Sequence, residues 1–578
     1  MTKTRSTLSR RLALASPLTL GLVAAPIAAQ TAANRFVPED AQIVLRIAAP
    51  AKWNAQFGNT KIAGVITGQT FGPMLEQMQH GFTGAMTGEM DVEKELAESL
   101  WNDYQGDITV AIHFDLEDLG AAIEEERTPT MSVVIAMSPD GKFDLAEFAR
   151  QIGDSFENQS GADIAEISAG DYTLRCEVSD EFGGSKPIMI DDCLVTVLST
   201  NLEESAARML ASDGRRESVG AGKPLYVHVE AGAAVQSLLD VVAQKMDDNL
   251  NAPPLDVVQL LTDFGLTSLR DFELSLEADG AQVVLDAELG LNQRNSGIFG
   301  ALAVDKKSLD TLRYVPASAD AFSVQLFDIG ALYDTIAKMT GSMSDILPMS
   351  WEDIENGFAD AAKVRLREDL IANIGKEMLS LTDWKAHNEA AADADPGDFS
   401  AMFAGQAFAI SLTNGKAFGD ALETAMRSRG MHAARKSEEY QGVTLYRLRL
   451  AGAFEIEYAV TADLLLLALS SDEASRAQLR SILDARANPS AGLPKAVADA
   501  ESHVPGGWNG VGVTPMGTVL STVGDLLNEA PPGEVPMEVE QALGAISMLG
   551  KEMKRAGVDD AVQFIYSSPR GIRSIMRL

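Results

Sequence analysis

The sequence predicts an α+β fold made of two tandem homologous units, each mainly an antiparallel sheet covered by amphipathic helices. Two observations predict this fold. Strand-like segments that are linked as hairpins alternate with helical segments along the chain, and the same order of segments occurs twice. The 578 residues, with 46% hydrophobic and 22% charged side chains, have the composition of a globular protein.

The first 29 residues predict a cleavable secretory signal. The apolar stretch 12–25 is too short to span a membrane, and small residues lead to an expected cleavage near Ala29. Ser9-Arg10-Arg11 also resembles a twin-arginine signal, so both export routes stay open. We therefore expect an exported protein of the periplasm or cell envelope. The basic residues that precede the apolar stretch are Lys3, Arg5, Arg10 and Arg11.

An internal repeat predicts the domain organisation. Arg35-Phe36-Val37-Pro38 matches Arg313-Tyr314-Val315-Pro316, and a predicted strand follows each, at 42–47 and 321–326. Six such matches occur in the same order, which indicates a tandem duplication. The expected boundaries are 1–29 for the signal, 30–300 for the first unit and 301–578 for the second. Further matched segments are 132–137 with 407–412 and 195–200 with 466–471.

Helix starts are indicated at Asp144, Asn201 and Ser471, each followed by an acidic residue in the first turn. The apolar run 464–469 predicts a buried strand. We expect the helices of each unit to cover one face of its sheet.

The charge of the chain is strongly acidic, at −36. Loss of the four basic residues of the signal would take it to −40. Such a charge repels nucleic acid and anionic lipid surfaces, so we predict no nucleic-acid partner. After the signal, no segment has the roughly 20 apolar residues of a spanning helix. We therefore expect a soluble mature chain without a transmembrane segment.

The two cysteines, Cys176 and Cys193, fall on consecutive predicted strands, 171–178 and 192–199. An exported protein can form a disulfide here if the strands face each other. The alternative is two small buried thiols. The repeat matches Cys176 with Leu448 and Cys193 with Leu464, so both thiols are expected on the core face of their strands.

The search for reactive groups finds no catalytic, phosphate-binding or metal motif. The six histidines are scattered, and His113 and His228 fall within predicted strands. Asp393, Asp395 and Asp398 offer hard oxygen ligands for Ca²⁺, although Pro396-Gly397 also accounts for this segment as a turn. We therefore predict no catalytic residue, no metal site and no cofactor.

Methionines form a similar cluster in each unit. Met86 and Met90 belong to a Met-Thr-Gly-x-Met segment, and so do Met339 and Met343. Flexible thioethers can form an adaptable surface for a lipid or a peptide. The alternative is that these side chains fill the core.

A family resemblance is confined to the start of each unit. Phe36-Val37-Pro38-Glu39-Asp40-Ala41, with 59–66 and 71–74, resembles an uncharacterised family of large exported bacterial proteins from planctomycete-type envelopes, which open with Val-Pro-x-Asp-Ala. In the second unit Val315-Pro316-Ala317-Ser318-Ala319 replaces this opening. The resemblance implies an exported protein of unknown function, and it transfers no catalytic residue.

The leading hypothesis is a non-enzymatic binding or interaction module of the envelope, with a protein or a small apolar ligand as its partner. Two alternatives stay open, a carrier of an apolar ligand that uses the methionine clusters and a hydrolase with an unrecognised site. A cavity with convergent polar groups is the observation that would separate them.

Overall fold

A computed structural model describes most of the chain. The predicted signal, 1–29, lies outside the described residues. The described residues are 32–67, 80, 83–84, 86–87, 92–116, 118, 122, 127, 129–160, 164–169, 172–177, 183–211, 223–248, 256–304, 308–343, 349–392, 401–449, 455–470, 472–490, 492–528, 537–568 and 570–578.

The strands of the described chain are three to eleven residues long. In chain order they are β1 (Ile43–Ala48), β2 (Asp107–Phe114), β3 (Met131–Met137), β4 (Ile164–Ala169), β5 (Tyr172–Glu177), β6 (Gly183–Ser185), β7 (Ile188–Ile190), β8 (Cys193–Ser199), β9 (Leu225–Val229), β10 (Leu269–Asp279), β11 (Gln282–Leu291), β12 (Phe322–Leu326), β13 (Ile374–Thr382), β14 (Gln406–Leu412), β15 (Lys436–Tyr440), β16 (Val443–Arg449), β17 (Glu455–Val460), β18 (Leu464–Ala468), β19 (Gly510–Pro515), β20 (Asp560–Ser567) and β21 (Gly571–Arg577).

The α-helices of the described chain lie between these strands. They are α1 (Pro50–Phe57), α2 (Lys61–Ile66), α3 (Lys94–Asn102), α4 (Leu145–Ser160), α5 (Leu202–Leu210), α6 (Ala231–Asp248), α7 (Val257–Phe264), α8 (Gly297–Leu302), α9 (Ile329–Ser342), α10 (Trp351–Ala362), α11 (Trp384–Ala392), α12 (Gly415–Ser428), α13 (Glu473–Ala487), α14 (Lys495–Glu501), α15 (Met516–Asn528) and α16 (Met537–Arg555). Short 3-10 helices at Ala32–Phe36 and Asp310–Tyr314 precede β1 and β12.

Contacts divide the chain into two compact units. The first contains the described residues up to Val241 together with Arg270–Glu288, and the second contains Val242–Leu269 and Leu289–Leu578. Helix α7 belongs to the second unit because it packs against α8 and α9.

The sheet of the first unit is antiparallel at every pairing described. Its strands follow the order β10, β9, β1, β2, β3 and β8. Both β6 and β7 pair with the other edge of β8, and β5 and then β4 follow β6. The short strands β6 and β7 together take one place in this order, with Lys186 and Pro187 between them.

The sheet of the second unit is also antiparallel. Its strands follow the order β21, β20, β19, β12, β13, β14, β18, β17, β16 and β15. The opening strand of each unit, β1 or β12, thus lies between the next strand in sequence and a strand contributed much later in the chain. The predicted α+β class with antiparallel sheets is confirmed.

Helices cover both faces of each sheet, so the expectation of one covered face is wrong. In β8, Cys193, Val195 and Val197 pack with α5, whereas Leu194 packs with Phe148 of α4. Alternate side chains of a strand point to opposite faces, and here both sets are apolar. The second unit also has a helix on each face of its sheet. Leu465 of β18 packs in a cluster with α12, and α13 contacts β14 and β18.

The helix starts follow capping chemistry. The side chain of Asp144 accepts a hydrogen bond from the Glu147 amide at 2.9 Å, and Asn201 accepts one from Glu204 at 3.4 Å. The third predicted start, Ser471, lies outside the described residues, and the next residue, Asp472, caps α13 by accepting from the Ser475 amide at 2.7 Å. Among the described helices, none combines the length and the apolar character that a membrane crossing requires.

Candidate functional site

A cleft in the second unit lies along helix α12 and has a volume of about 1020 Å³. One wall is formed by α12 and its N-terminal cap. The other is formed by β16, β17 and the turn that follows β17. We call this space the α12 cleft. Its charged and aromatic lining residues are Lys416, Asp420, Glu423, Arg427, Arg435, Tyr446, Tyr458 and Arg486.

Local sequence positions α12 against the sheet. Asn414 caps the helix by accepting a hydrogen bond from the Ala417 amide at 3.0 Å. Phe418, Ala425 and Met426 are buried on one helical face. A Cβ atom at Gly415 would lie 2.0 Å from the carbonyl oxygen of Thr461, so glycine permits the first turn to approach the turn after β17. This close approach places Gly415, Thr461 and Ala462 together in the lining of the cleft.

Two tyrosines and an arginine form the floor of the cleft near the C-terminal end of α12. The rings of Tyr446 and Tyr458 have centroids 5.3 Å apart. The guanidinium carbon of Arg435 lies 4.0 Å from the centroid of the Tyr446 ring, which is a cation–π contact. Arg435 also donates to the Tyr458 hydroxyl at 3.1 Å. Its side chain is 13% exposed, so packing holds the guanidinium in place.

Glu423 joins two arginines at this end of the cleft. Its carboxylate lies 2.7 Å from Nε of Arg427 and 2.5 Å from Nη2 of Arg435. The hydrogen bond from Arg427, together with that from Arg435, lowers the pKa of Glu423. A general acid requires the opposite shift, so this carboxylate is a charge partner of the arginines.

The other end of the cleft carries further cations. Lys416 is 86% exposed and pairs with Asp420 at 2.5 Å. Arg486 donates through Nε and Nη2 to the Asp463 carboxylate at 2.9 and 2.6 Å. Tyr314, which is buried, donates to the same carboxylate at 2.6 Å.

Sequence reasoning missed this cleft because its side chains come from five separate segments and form no motif. When the two sheets are aligned strand by strand, Arg175 on β5 corresponds to Tyr446 on β16. The break between β6 and β7 at Lys186-Pro187 corresponds to Tyr458 on β17. The aromatic floor is therefore a feature of the second unit. Only the strand register reveals it.

The opposite face of the same strands holds a cluster of charged side chains beneath α13. Glu457 has a side chain only 2% exposed, and its Oε2 lies 2.9 Å from Nη2 of Arg447 and 3.4 Å from Nε of Arg476. Arg476 also contacts Glu455 at 2.8 Å. We call this set the arginine–glutamate cluster. Its members are Arg447, Arg476, Arg480, Glu438, Glu455 and Glu457, and their formal charges cancel.

The predicted disulfide is wrong, because Cys176 and Cys193 are both free. Strand β6 lies between β5 and β8, and Cys176 faces Ser185 across β5 and β6. The same register places Ser185 opposite Val197, four residues from Cys193. Four residues along a strand span about 13 Å, whereas a disulfide requires Cα atoms within about 7 Å.

Both thiols are fully buried, as the repeat predicts. Burial raises the pKa of each thiol to about 11, so thiolate formation at neutral pH is disfavoured. The match of Cys176 with Leu448 is wrong by one residue. Matched by place in the sheet, Cys176 corresponds to Arg447, which faces Glu457.

The methionine clusters lie in different environments. Met86 is fully buried in the first-unit core, among residues such as Ala97 and Leu100. Met339 and Met343 are half-buried near the end of α9. Met90 lies outside the described residues, so the apolar-ligand surface stays a prediction.

The remaining candidates for chemistry occupy structural positions. His113 and His228 lie on β2 and β9, as predicted. His113 lies 3.2 Å from the Asp40 carboxylate, and burial lowers its pKa. Asp393, Asp395 and Asp398 lie outside the described residues. Within the described residues, no group of three or more histidine, cysteine or acidic side chains could hold a metal ion.

Each unit contains the same kind of polar contact, between a backbone amide of β2 or β13 and a serine hydroxyl. The Asp107 amide donates to the Ser138 hydroxyl at 2.7 Å, and the Glu377 amide donates to the Ser411 hydroxyl at 2.9 Å. Asp107 is 1% exposed and also pairs with Arg46 at 3.0 Å and Lys52 at 3.1 Å. Arg46 is 1% exposed as well.

Comparison with known proteins identifies no family. No family model matches the chain, and no curated protein matches it. The solved structures that it resembles include crystal forms I and III of TP0453, at 12% and 11% identity. Each match covers 45% of this chain and 79% of the TP0453 chain with a TM-score of 0.20, a value at which the likeness carries no argument.

Proposed function

We propose that this chain is an exported, water-soluble binding module of the bacterial periplasm or envelope, and that the α12 cleft is its ligand site. The observation that carries the proposal is the cleft itself, in which charged and aromatic side chains converge on a volume that suits a small ligand. The activity is binding without catalysis. The paired state of Asp420 and Glu423 supports this, because both lining carboxylates already have cationic partners.

The proposal includes a tandem duplication of one ancestral unit. Three features support it. The first sheet, from β10 to β4, has the same strand order as the second sheet from β20 to β15, and the serine contact on β2 recurs on β13. In addition, Arg35 lies 4.7 Å from the Phe36 ring centroid and Arg313 lies 4.8 Å from that of Tyr314, just before each opening strand. On this view only the second copy acquired the aromatic floor of the cleft.

Export is tested by fractionating cells that produce the chain and measuring the mass of the recovered protein. We expect a periplasmic or envelope product that lacks about 29 residues at its N-terminus. An intact chain in the cytoplasm would contradict the proposed location.

Binding at the cleft is tested by a thermal-shift screen of sugars, peptides and organic acids against the mature chain. The Gly419→Met variant places a long side chain at the cleft wall and should abolish any stabilisation by a cleft ligand. Gly419→Ala is the matched control, because its Cβ atom would lie 3.5 Å from Val460 in ordinary contact. Ligands that stabilise both variants equally would show that binding occurs elsewhere.

A further inference from the structure

We infer that the α12 cleft recognises a carboxylate-bearing anion through Arg427 and Arg435. This inference rests on the proposed function of the cleft and adds the chemical class of its ligand. The charge of the cleft favours an anion. The whole chain has 83 acidic and 47 basic residues, yet the lining of the cleft has four basic residues and two acidic ones. A cleft whose charge is opposite in sign to the net charge of the chain attracts anions to its walls.

The geometry of the two arginines favours a carboxylate. Arg435 is fixed by Tyr446, Tyr458 and Glu423, so its position costs no ordering when a ligand binds. Arg427 uses Nε to bind Glu423 and is 69% exposed. Its two terminal nitrogens form no hydrogen bond with the described residues, and a guanidinium edge of this kind matches the two oxygens of a carboxylate.

Positive charge exceeds negative charge at the Glu423 end of the cleft. Arg427 and Arg435 share the single carboxylate of Glu423, so one positive charge is left over between them. A ligand carboxylate neutralises that charge. Lys416 lies eleven residues earlier on the same helix, about 16 Å away, so an elongated polyanion can reach both ends of the cleft.

The inference is tested by calorimetric titration of the mature chain, at low salt, with citrate, with hexaglutamate and with a neutral glycine–serine hexapeptide. We expect at least one anionic probe to bind more tightly than the neutral peptide. Arg427→Gln should weaken that binding about tenfold, since it removes a charge-assisted pair. Arg429→Gln is the matched control, because Arg429 is exposed just after the same helix and does not line the cleft. It should leave the affinity unchanged.

Three outcomes overturn the inference. If Arg427→Gln and Arg429→Gln weaken anion binding equally, the anions respond to the general surface charge. If neither anion binds, the carboxylate assignment is wrong. If the neutral peptide binds as well as the anions and Gly419→Met abolishes it, the anion assignment fails while the cleft remains a ligand site. Arg435→Lys, which keeps the charge but loses the planar fork, should also reduce affinity, and its circular dichroism verifies that it folds.

Discussion

The same place in the two sheets carries very different side chains. In the first unit Cys176 faces Ser185 beneath α5, and in the second Arg447 faces Glu457 beneath α13. The buried carboxylate is compatible with the second sheet because α13 supplies Arg476 and Arg480, whereas α5 presents apolar side chains to the thiol. Strand order and register can therefore be the same in two sheets while the side chains beneath a helix are apolar in one and ionic in the other.

The largest expected effect concerns the buried ion pair at the start of β2. Asp107→Ala removes the negative charge that faces Arg46 and Lys52, so we expect a loss of about 3–5 kcal/mol in the free energy of unfolding. Urea denaturation measures it. Asp103→Ala, at an exposed position nearby, is the control and should change stability by less than about 0.5 kcal/mol. Equal effects of the two substitutions would show that the buried pair does not stabilise the first unit.

Much of the fold could be predicted from the sequence because strands and helices leave periodic signals. The Val-Pro segments, the cap at Asp144 and the buried strand at Leu464–Ala468 lie where the pattern predicts them. The second-unit counterpart of Cys176 could not be predicted, because the hydrophobic pattern of the sequence aligns Cys176 with Leu448, one residue beyond Arg447. Leu448 is buried too, but it packs with Met426 of α12, and a register error of one residue reverses the face. The cleft could not be predicted without the full strand order, because its lining residues have no regular spacing in the sequence.

The second prediction concerns the replacement of the Arg447–Glu457 pair by the cysteine–serine pair found at the same place in the first unit. Glu457→Ser alone leaves Arg447 and Arg476 beneath α13 without this partner, and we expect a loss of about 3 kcal/mol. Combining it with Arg447→Cys recreates the Cys176–Ser185 pairing of the first unit. The double variant should be more stable than Glu457→Ser in urea denaturation. The single variant Arg447→Cys completes the cycle. If the stability losses of Glu457→Ser and Arg447→Cys add up to the loss of the double variant, the two side chains are not coupled.

The third prediction concerns pH. His113 lies on β2, whereas β13 contains no histidine. Burial lowers the pKa of His113, so the unfolded chain binds the proton more readily than the folded one. Stability should therefore fall as the pH decreases through the ordinary histidine pKa of about 6.5 toward the lower folded value. His113→Gln should reduce this dependence in denaturation curves measured between pH 7 and pH 5. An unchanged slope would show that other groups determine it.

The smallest expected effect is that of a reducing agent. Because Cys176 and Cys193 are too far apart to join, dithiothreitol should not change the melting temperature of the mature chain. A disulfide closing this loop would contribute about 3 kcal/mol, which a melting curve would detect. Thiol titration of the denatured, unreduced protein should find two free thiols. A clear fall in melting temperature on reduction would require a different register of β5 and β8.

On the proposed function, the second unit binds the ligand through its α12 cleft and the first unit does not. Hydrogen–deuterium exchange, measured for single segments with and without a saturating concentration of citrate or hexaglutamate, tests this difference between the units. We expect slower exchange in 413–428 and 442–446 and unchanged exchange in the corresponding first-unit segments, 145–160 and 172–177. Equal protection in both units, or protection confined to the first, would contradict it.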